Sequence, residues 1–143
     1  MTEEESIVVD LLKTYFRKRK EVDIWAYQES ERRKSIGANH LEVFAELKPK
    51  LESIYNEYLT SKERKQTLSY NRIGSSPYFD PEYESIESVV TNNNKKITIR
   101  TVMSRNNSKT PHEYIFLKEE GKWKLDNRKT YWIFNEKWES DQL

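Results

Sequence analysis

Glu113-Tyr-Ile-Phe-Leu-Lys-Glu-Glu-Gly-Lys-Trp-Lys-Leu-Asp126 is the stretch that decides the fold. Glu120-Gly121 leaves room only for a tight reversal, so the runs on either side pair as antiparallel strands. In the first run Ile115 and Leu117 alternate with Tyr114 and Phe116. Both faces are therefore apolar, which places this strand near the middle of a curved sheet. In the second run Trp123 and Leu125 point inward, while Lys122, Lys124 and Asp126 point to a solvated face.

Working outward, four runs rich in β-branched and aromatic residues read as strands: Ser85 to Thr91, Lys96 to Ser104, His112 to Glu119 and Lys122 to Phe134. Asn92-Asn-Asn94 suits the left-handed conformations of a tight turn, and Asn106-Asn107 with Pro111 marks a looser loop. Sequential antiparallel pairing is the least costly topology. Upstream, Ile73-Gly-Ser-Ser-Pro-Tyr-Phe-Asp-Pro81 is dense in turn formers and divides the strands from a helical half.

That half opens on Thr2-Glu-Glu-Glu5, which has capping-box spacing. Val8, Leu11, Leu12, Tyr15 and Phe16 follow on one helical face, and Val22, Trp25 and Ala26 extend it with one polar lapse. The helix runs on toward Lys34 or breaks near Val22 and Asp23, and Gly37 supplies a stop. A second phase begins near His40, and Pro49 either kinks it or opens a new helix. Leu51, Ile54, Tyr55, Tyr58 and Leu59 then form the cleanest amphipathic stripe. Thr60-Ser-Lys-Glu63 can cap one more short turn.

Helices followed by a meander predict an α+β fold, with N-terminal helices packed on a strongly bent antiparallel sheet whose other face is a concavity. The expectation is one domain over residues 1–143, with a helical part at about 3–66 and a sheet part at about 67–134.

Composition narrows the chemistry. With 25 Lys+Arg against 24 Asp+Glu, the net charge of +1 gives no general pull toward nucleic acid or an anionic membrane. Aromatic residues make up 13%, which argues against disorder. Without cysteine there is no thiol nucleophile, disulfide or thiolate metal site, and two isolated His residues cannot build a histidine zinc site, so no metal is expected. Met1-Thr-Glu-Glu-Glu-Ser-Ile-Val-Val-Asp-Leu-Leu12 is acidic where a secretory signal is basic, and no apolar run approaches a membrane span, so a cytoplasmic location is expected. Gly37, Gly74 and Gly121 lie far apart, which removes phosphate-loop and dinucleotide readings, and no cofactor is expected.

His40 at a helix start and His112 beside Pro111 at a strand start read as exposed or capping residues. The basic runs Arg17 to Lys20, Arg32 to Lys34 and Lys62 to Lys65 are each flanked by acids and read as solvated helix faces. Tyr131-Trp-Ile-Phe134 with Trp138 is hard to bury all together. These aromatics are either interface anchors or a closure of the sheet's mouth packed on the first helix.

Ile54 to Lys65, the Pro77-Tyr-Phe-Asp-Pro81 turn, Glu84 to Thr101 and Glu113 to Lys129 together resemble the nuclear transport factor 2-like superfamily. More narrowly, Ile86, Thr101 and the Tyr114…Leu117…Gly121-Lys-Trp123…Leu125-Asp126 pattern resemble the immunity proteins of that fold, found beside toxin genes in bacterial polymorphic toxin systems. The resemblance implies a cone of helices on a bent sheet. It also implies an antitoxin that acts by stoichiometric binding to a cognate toxin, with no catalytic group. A monomer or a homodimer is expected, since an open sheet can pair across its exposed face. On this reading Tyr78, Phe79, Trp132 and Trp138 are the expected anchors, with Arg72 and Arg128 as polar partners. The superfamily also contains isomerases and dehydratases. The alternative is therefore a small-molecule enzyme using the cone, with Tyr70, Tyr114 and Asp126 as its acid-base groups.

Overall fold

The computed structural model describes residues 1–64 and 73–143. Within them helix α1 spans Glu3–Ser35 and α2 spans Glu42–Tyr58. The capping box is formed: Glu5 N donates to Thr2 Oγ1 at 3.1 Å, and Thr2 N donates to Glu5 Oε1 at 2.8 Å. Two amides beyond the reach of helical carbonyls are thereby satisfied. α1 does not break at Val22 and Asp23. Asp23 interrupts the apolar stripe because its Oδ2 accepts the backbone amide of Tyr78 at 2.9 Å, pinning the Pro77–Pro81 turn to the helix. Gly37, at φ 72, reverses the chain after α1. Pro49 lies inside α2, which continues past it. Pro49 and Ala45 are both on the exposed side, where water can take the hydrogen bond that proline cannot donate.

No further helical turn forms at Thr60–Glu63. Leu59 pairs in parallel with Leu125, and Thr60 N donates to Leu125 O at 3.0 Å. Arg64 Nη1 donates to Asp126 O at 2.6 Å and its Nη2 to Thr60 Oγ1 at 2.9 Å, which ties the end of the helical layer to the sheet.

The sheet is a meander of β1 (Glu84–Asn93), β2 (Lys96–Arg105), β3 (Ser108–Glu119), β4 (Lys122–Trp132) and β5 (Lys137–Asp141), each antiparallel to the next. β3 is central, as its two apolar faces predict. β5 extends the sheet beyond the boundary at about 134. Glu120 (φ 52) and Gly121 (φ 76) form the expected tight reversal. Asn106 (φ 54) and Asn107 (φ 63) make a second two-residue hairpin turn rather than a looser loop. The β1–β2 reversal needs no left-handed asparagine, because Asn93 Oδ1 accepts the amide of Lys95 at 2.8 Å and holds the turn.

The inner face carries Ile97, Ile99 and Thr101 from β2, His112, Tyr114 and Phe116 from β3, and Trp123, Leu125, Arg128 and Thr130 from β4, all buried. They meet Val8, Leu12, Tyr15, Phe16 and Arg19 of α1. Bulges sharpen the bend. One falls at Asp126, since Phe116 pairs with Leu125 and Ile115 with Asn127, leaving Asp126 as the extra residue.

Candidate functional site

Phe79 sits at the centre of the molecule. Its ring stacks on Phe16 with centroids 5.6 Å apart, and it meets Tyr15 at 5.4 Å and Tyr78 at 5.0 Å edge-on. It has no exposed surface, so the expectation of a surface anchor here is corrected: the turn that Asp23 pins folds this ring into the core. Two guanidinium groups flank it, Arg19 with Cζ 4.9 Å and Arg128 with Cζ 5.1 Å from its centroid.

Arg19 is only 2% exposed, against the reading of Arg17 to Lys20 as a solvated face. The signal was positional: Arg19 falls four residues after Tyr15 and three after Phe16, on the apolar stripe itself. Its Nη1 donates to Tyr15 OH at 2.9 Å, and its Cζ lies 5.8 Å and 5.5 Å from the Tyr15 and Tyr55 ring centroids. Lys20 leaves the same run to donate to Asp80 Oδ1 at 2.9 Å.

Arg128 is the second node, and it too is interior. Its Nη2 donates to Tyr78 OH at 2.6 Å and to Asp141 Oδ2 at 2.9 Å. Three residues singled out in the sequence thus do converge: Phe79 and Arg128 are buried inside the cone, and Tyr78 packs partly buried against them. Asp141 Oδ2 also accepts the Thr130 hydroxyl at 2.6 Å, and Thr130 Oγ1 lies 2.9 Å from His112 Nδ1. With its proton given to Asp141, Thr130 must accept from His112. That fixes the neutral ring with hydrogen on Nδ1 and leaves Nε2 buried and, among the described residues, without a hydrogen-bond partner. Burial, reinforced by the charge of Arg128, pushes His112 down to about 3. Half-burial works against the charge of Asp141, but Arg128 and the bonds from Thr130 and Gln142 outweigh it and hold the carboxyl below its ordinary value. His112 is therefore a core residue of β3, not an exposed strand start. Pro111 lies beyond the last β3–β4 pair, His112 with Thr130, where no β4 residue asks for its amide.

Glu84 on the edge strand β1 is buried and accepts the Thr101 hydroxyl at 2.6 Å. Burial raises its carboxyl above the usual range despite that bond. Tyr114 is fully buried, its hydroxyl lies close to Glu84 and Arg128 without a well-formed hydrogen bond among the described residues, and burial together with the Glu84 charge pushes it well above an ordinary phenol.

Asp126 is not beside Tyr114. The bulge turns its carboxylate away from open solvent to accept Thr60 Oγ1 at 2.7 Å and Lys62 Nζ at 3.1 Å, so it fastens the segment after α2 to β4. Tyr70 and Arg72 lie outside the described residues.

The outer surface has the opposite character around the β4–β5 hairpin. Trp138 is half-buried: its ring meets Tyr131 at 5.4 Å, and the guanidinium of Arg100 lies 5.0 Å from a Trp138 ring centroid. Trp132 is 41% exposed, Ile133 68% and Phe134 99%. Tyr131 and Trp138 thus pack on each other rather than on α1, while Trp132, Ile133 and Phe134 face water. Among the described residues no cluster of His, Asp or Glu could hold a metal ion, and no helix is long and apolar enough to cross a membrane.

Residues 7–142 match the family model described as NTF2 fold immunity protein. The chain belongs to that family. The resemblance seen in the Tyr114-to-Asp126 pattern and the helix-on-bent-sheet architecture agree with it. Membership points to neutralisation of a toxin by binding, not to catalysis. A protein of Dickeya dadantii (strain 3937) named Immunity protein RhsIA is 28% identical over 92 residues, which cover 64% of this chain and 66% of that protein. No solved structure matches the chain.

Proposed function

We propose that this protein protects a bacterial cell by forming a one-to-one complex with a single cognate toxin domain in the cytoplasm, acting as one domain over residues 1–143. The observation that carries this reading is how the aromatic and polar groups are distributed. Inside the cone, Phe79, Tyr114, Arg19, Arg128 and His112 pack on one another and are closed to solvent. Outside, Trp132 and its neighbours present uncovered aromatic surface. Recognition therefore falls to the exterior, where large exposed rings act as anchors. Of the residues put forward from sequence, Trp132 and Trp138 remain as contacts on this surface, and Tyr78, Phe79 and Arg128 support it from within.

The experiment is co-expression with the toxin domain encoded by the adjacent gene, followed by calorimetric titration of the purified pair. Rescue of growth with sub-micromolar affinity is the expected result. A toxic neighbour that neither binds nor is neutralised would end the reading.

A further inference from the structure

We propose that Ile133 and Phe134, at the tip of the β4–β5 hairpin, form a two-pronged apolar plug that enters a concave apolar cleft on the toxin domain. The inference rests on the immunity reading and names the surface that reading leaves open.

Asn135 N donates to Trp132 O at 3.2 Å, closing a turn whose two corner positions are Ile133 and Phe134. Turn corners favour Pro, Asp, Asn, Ser and Gly, which supply fixed or left-handed dihedrals and local hydrogen bonds. The sequence places two large apolar side chains there instead. It then follows with Glu136 at φ 52, a conformation that glycine or asparagine adopts with less strain. Nothing in the fold is gained from these choices, since Ile133 and Phe134 are 68% and 99% exposed. Local rules broken without a folding return mark a functional site.

The tip is held firmly. Trp132 pairs with Lys137 and Tyr131 with Trp138 across the ladder, and the Tyr131 and Trp138 rings meet at 5.4 Å. A plug fixed on a paired hairpin loses little freedom on binding.

Its size selects the occupant. With Trp132 at 41% exposure, the three side chains offer on the order of 400 Å² of surface, taking about 150–250 Å² for each large side chain. Two such tips meeting across a dyad would bury roughly 800 Å² in total, short of the ~1,000 Å² that a stable interface needs. Docking the tip of one copy into the shallow groove of another at Val22, Pro49 and Ile54 would set two apolar side chains among Lys18, Glu21 and Lys50, a charged rather than an apolar acceptor. A lipid surface is a poor match, because Glu136, Lys137 and Glu139 beside the tip carry both signs and form no basic rim. As the centre of a larger complex with a different protein, the same area is sufficient, and a convex tip requires a concave acceptor.

The test compares the wild-type chain with Phe134→Ala, Phe134→Leu and the double variant Ile133→Ser/Phe134→Ala, titrated against a catalytically disabled form of the neighbouring toxin domain. Thermal midpoints should be unchanged, because the side chains are exposed. Phe134→Ala should weaken binding about 30-fold or more, the double variant further, and Phe134→Leu only a few-fold. Affinity of the double variant within about twofold of wild type overturns the plug while leaving the immunity reading intact. Absence of wild-type binding removes both. Self-association by sedimentation, or flotation with phosphatidylglycerol vesicles, abolished by the same double substitution would reassign the tip and overturn the proposal.

Discussion

Arg19 is buried; among the described residues its guanidinium donates to Tyr15 OH and lies against the Tyr15, Tyr55 and Phe79 rings, and Asp23 acts on it through its charge without a hydrogen bond. A buried guanidinium in that setting is held by the faces of rings, and each such contact is worth up to about 2 kcal/mol when desolvated. Against this stands the cost of removing the charge from water, which often cancels the gain. The balance predicts different outcomes for two substitutions. Arg19→Met, which keeps the volume and discards the charge, should lie within about 1 kcal/mol of wild type in urea denaturation. Arg19→Ala should lose about 3 kcal/mol through the cavity it leaves among Tyr15, Tyr55 and Phe79. A Met variant as unstable as the Ala variant would mean that the cation, not the packing, holds this part of the core.

The elements show which part of this could be read beforehand. Ile97, Ile99, Tyr114, Phe116, Trp123 and Leu125 alternate with period two, so β2, β3 and β4 and their sequential pairing are visible in the chain. β5 is not, because Lys137-Trp-Glu-Ser-Asp141 has a single apolar side chain, and the strand is fixed by its ladder with β4 and by Arg128 gripping Asp141. Arg19 and His112 escaped for the opposite reason: residue type outweighed position, although both lie in phase with apolar neighbours. Ile133 and Phe134 read as a continuing strand because their β-propensity is high, and only the geometry of the turn shows that they leave the sheet. The hairpin between β3 and β4 offers a direct check on such local rules. Glu120 occupies a left-handed position, φ 52, where the two-residue turn favours asparagine before glycine. Glu120→Asn should stabilise the protein by about 0.5–1 kcal/mol, seen as a raised denaturation midpoint without change in slope. A lower midpoint would mean that Glu120 makes a compensating contact in solution.

At the scale of the whole molecule, one hydrogen-bonded path crosses every layer. His112 on β3 reaches Thr130 on β4, then Asp141 on β5, Arg128, the Tyr78 hydroxyl and, through the Tyr78 amide, Asp23 on α1. Its pH dependence is therefore a property of the assembled fold. His112 is held at about 3 when folded, whereas an unfolded histidine titrates near 6.5. Between these values the unfolded chain binds the proton and the folded chain does not, so stability rises with pH across this window and is lost as the solution is acidified. Asp141, whose folded value is depressed, adds a loss in the same sense at lower pH as it protonates; Glu84, whose value is raised, acts in the opposite sense, since its burial favours the protonated form. From pH 6 to pH 5 the histidine should dominate, with unfolding free energy falling by up to about 1.4 kcal/mol per pH unit, the slope for uptake of one proton. His112→Asn keeps an N–H donor for Thr130 but cannot be protonated in this range. Chemical denaturation at pH 7, 6 and 5 should then show a steep fall for the wild-type chain and a distinctly shallower one for the variant, whatever their difference at pH 7. Equal slopes would place the acid-sensitive group elsewhere and separate the buried path from the pH response.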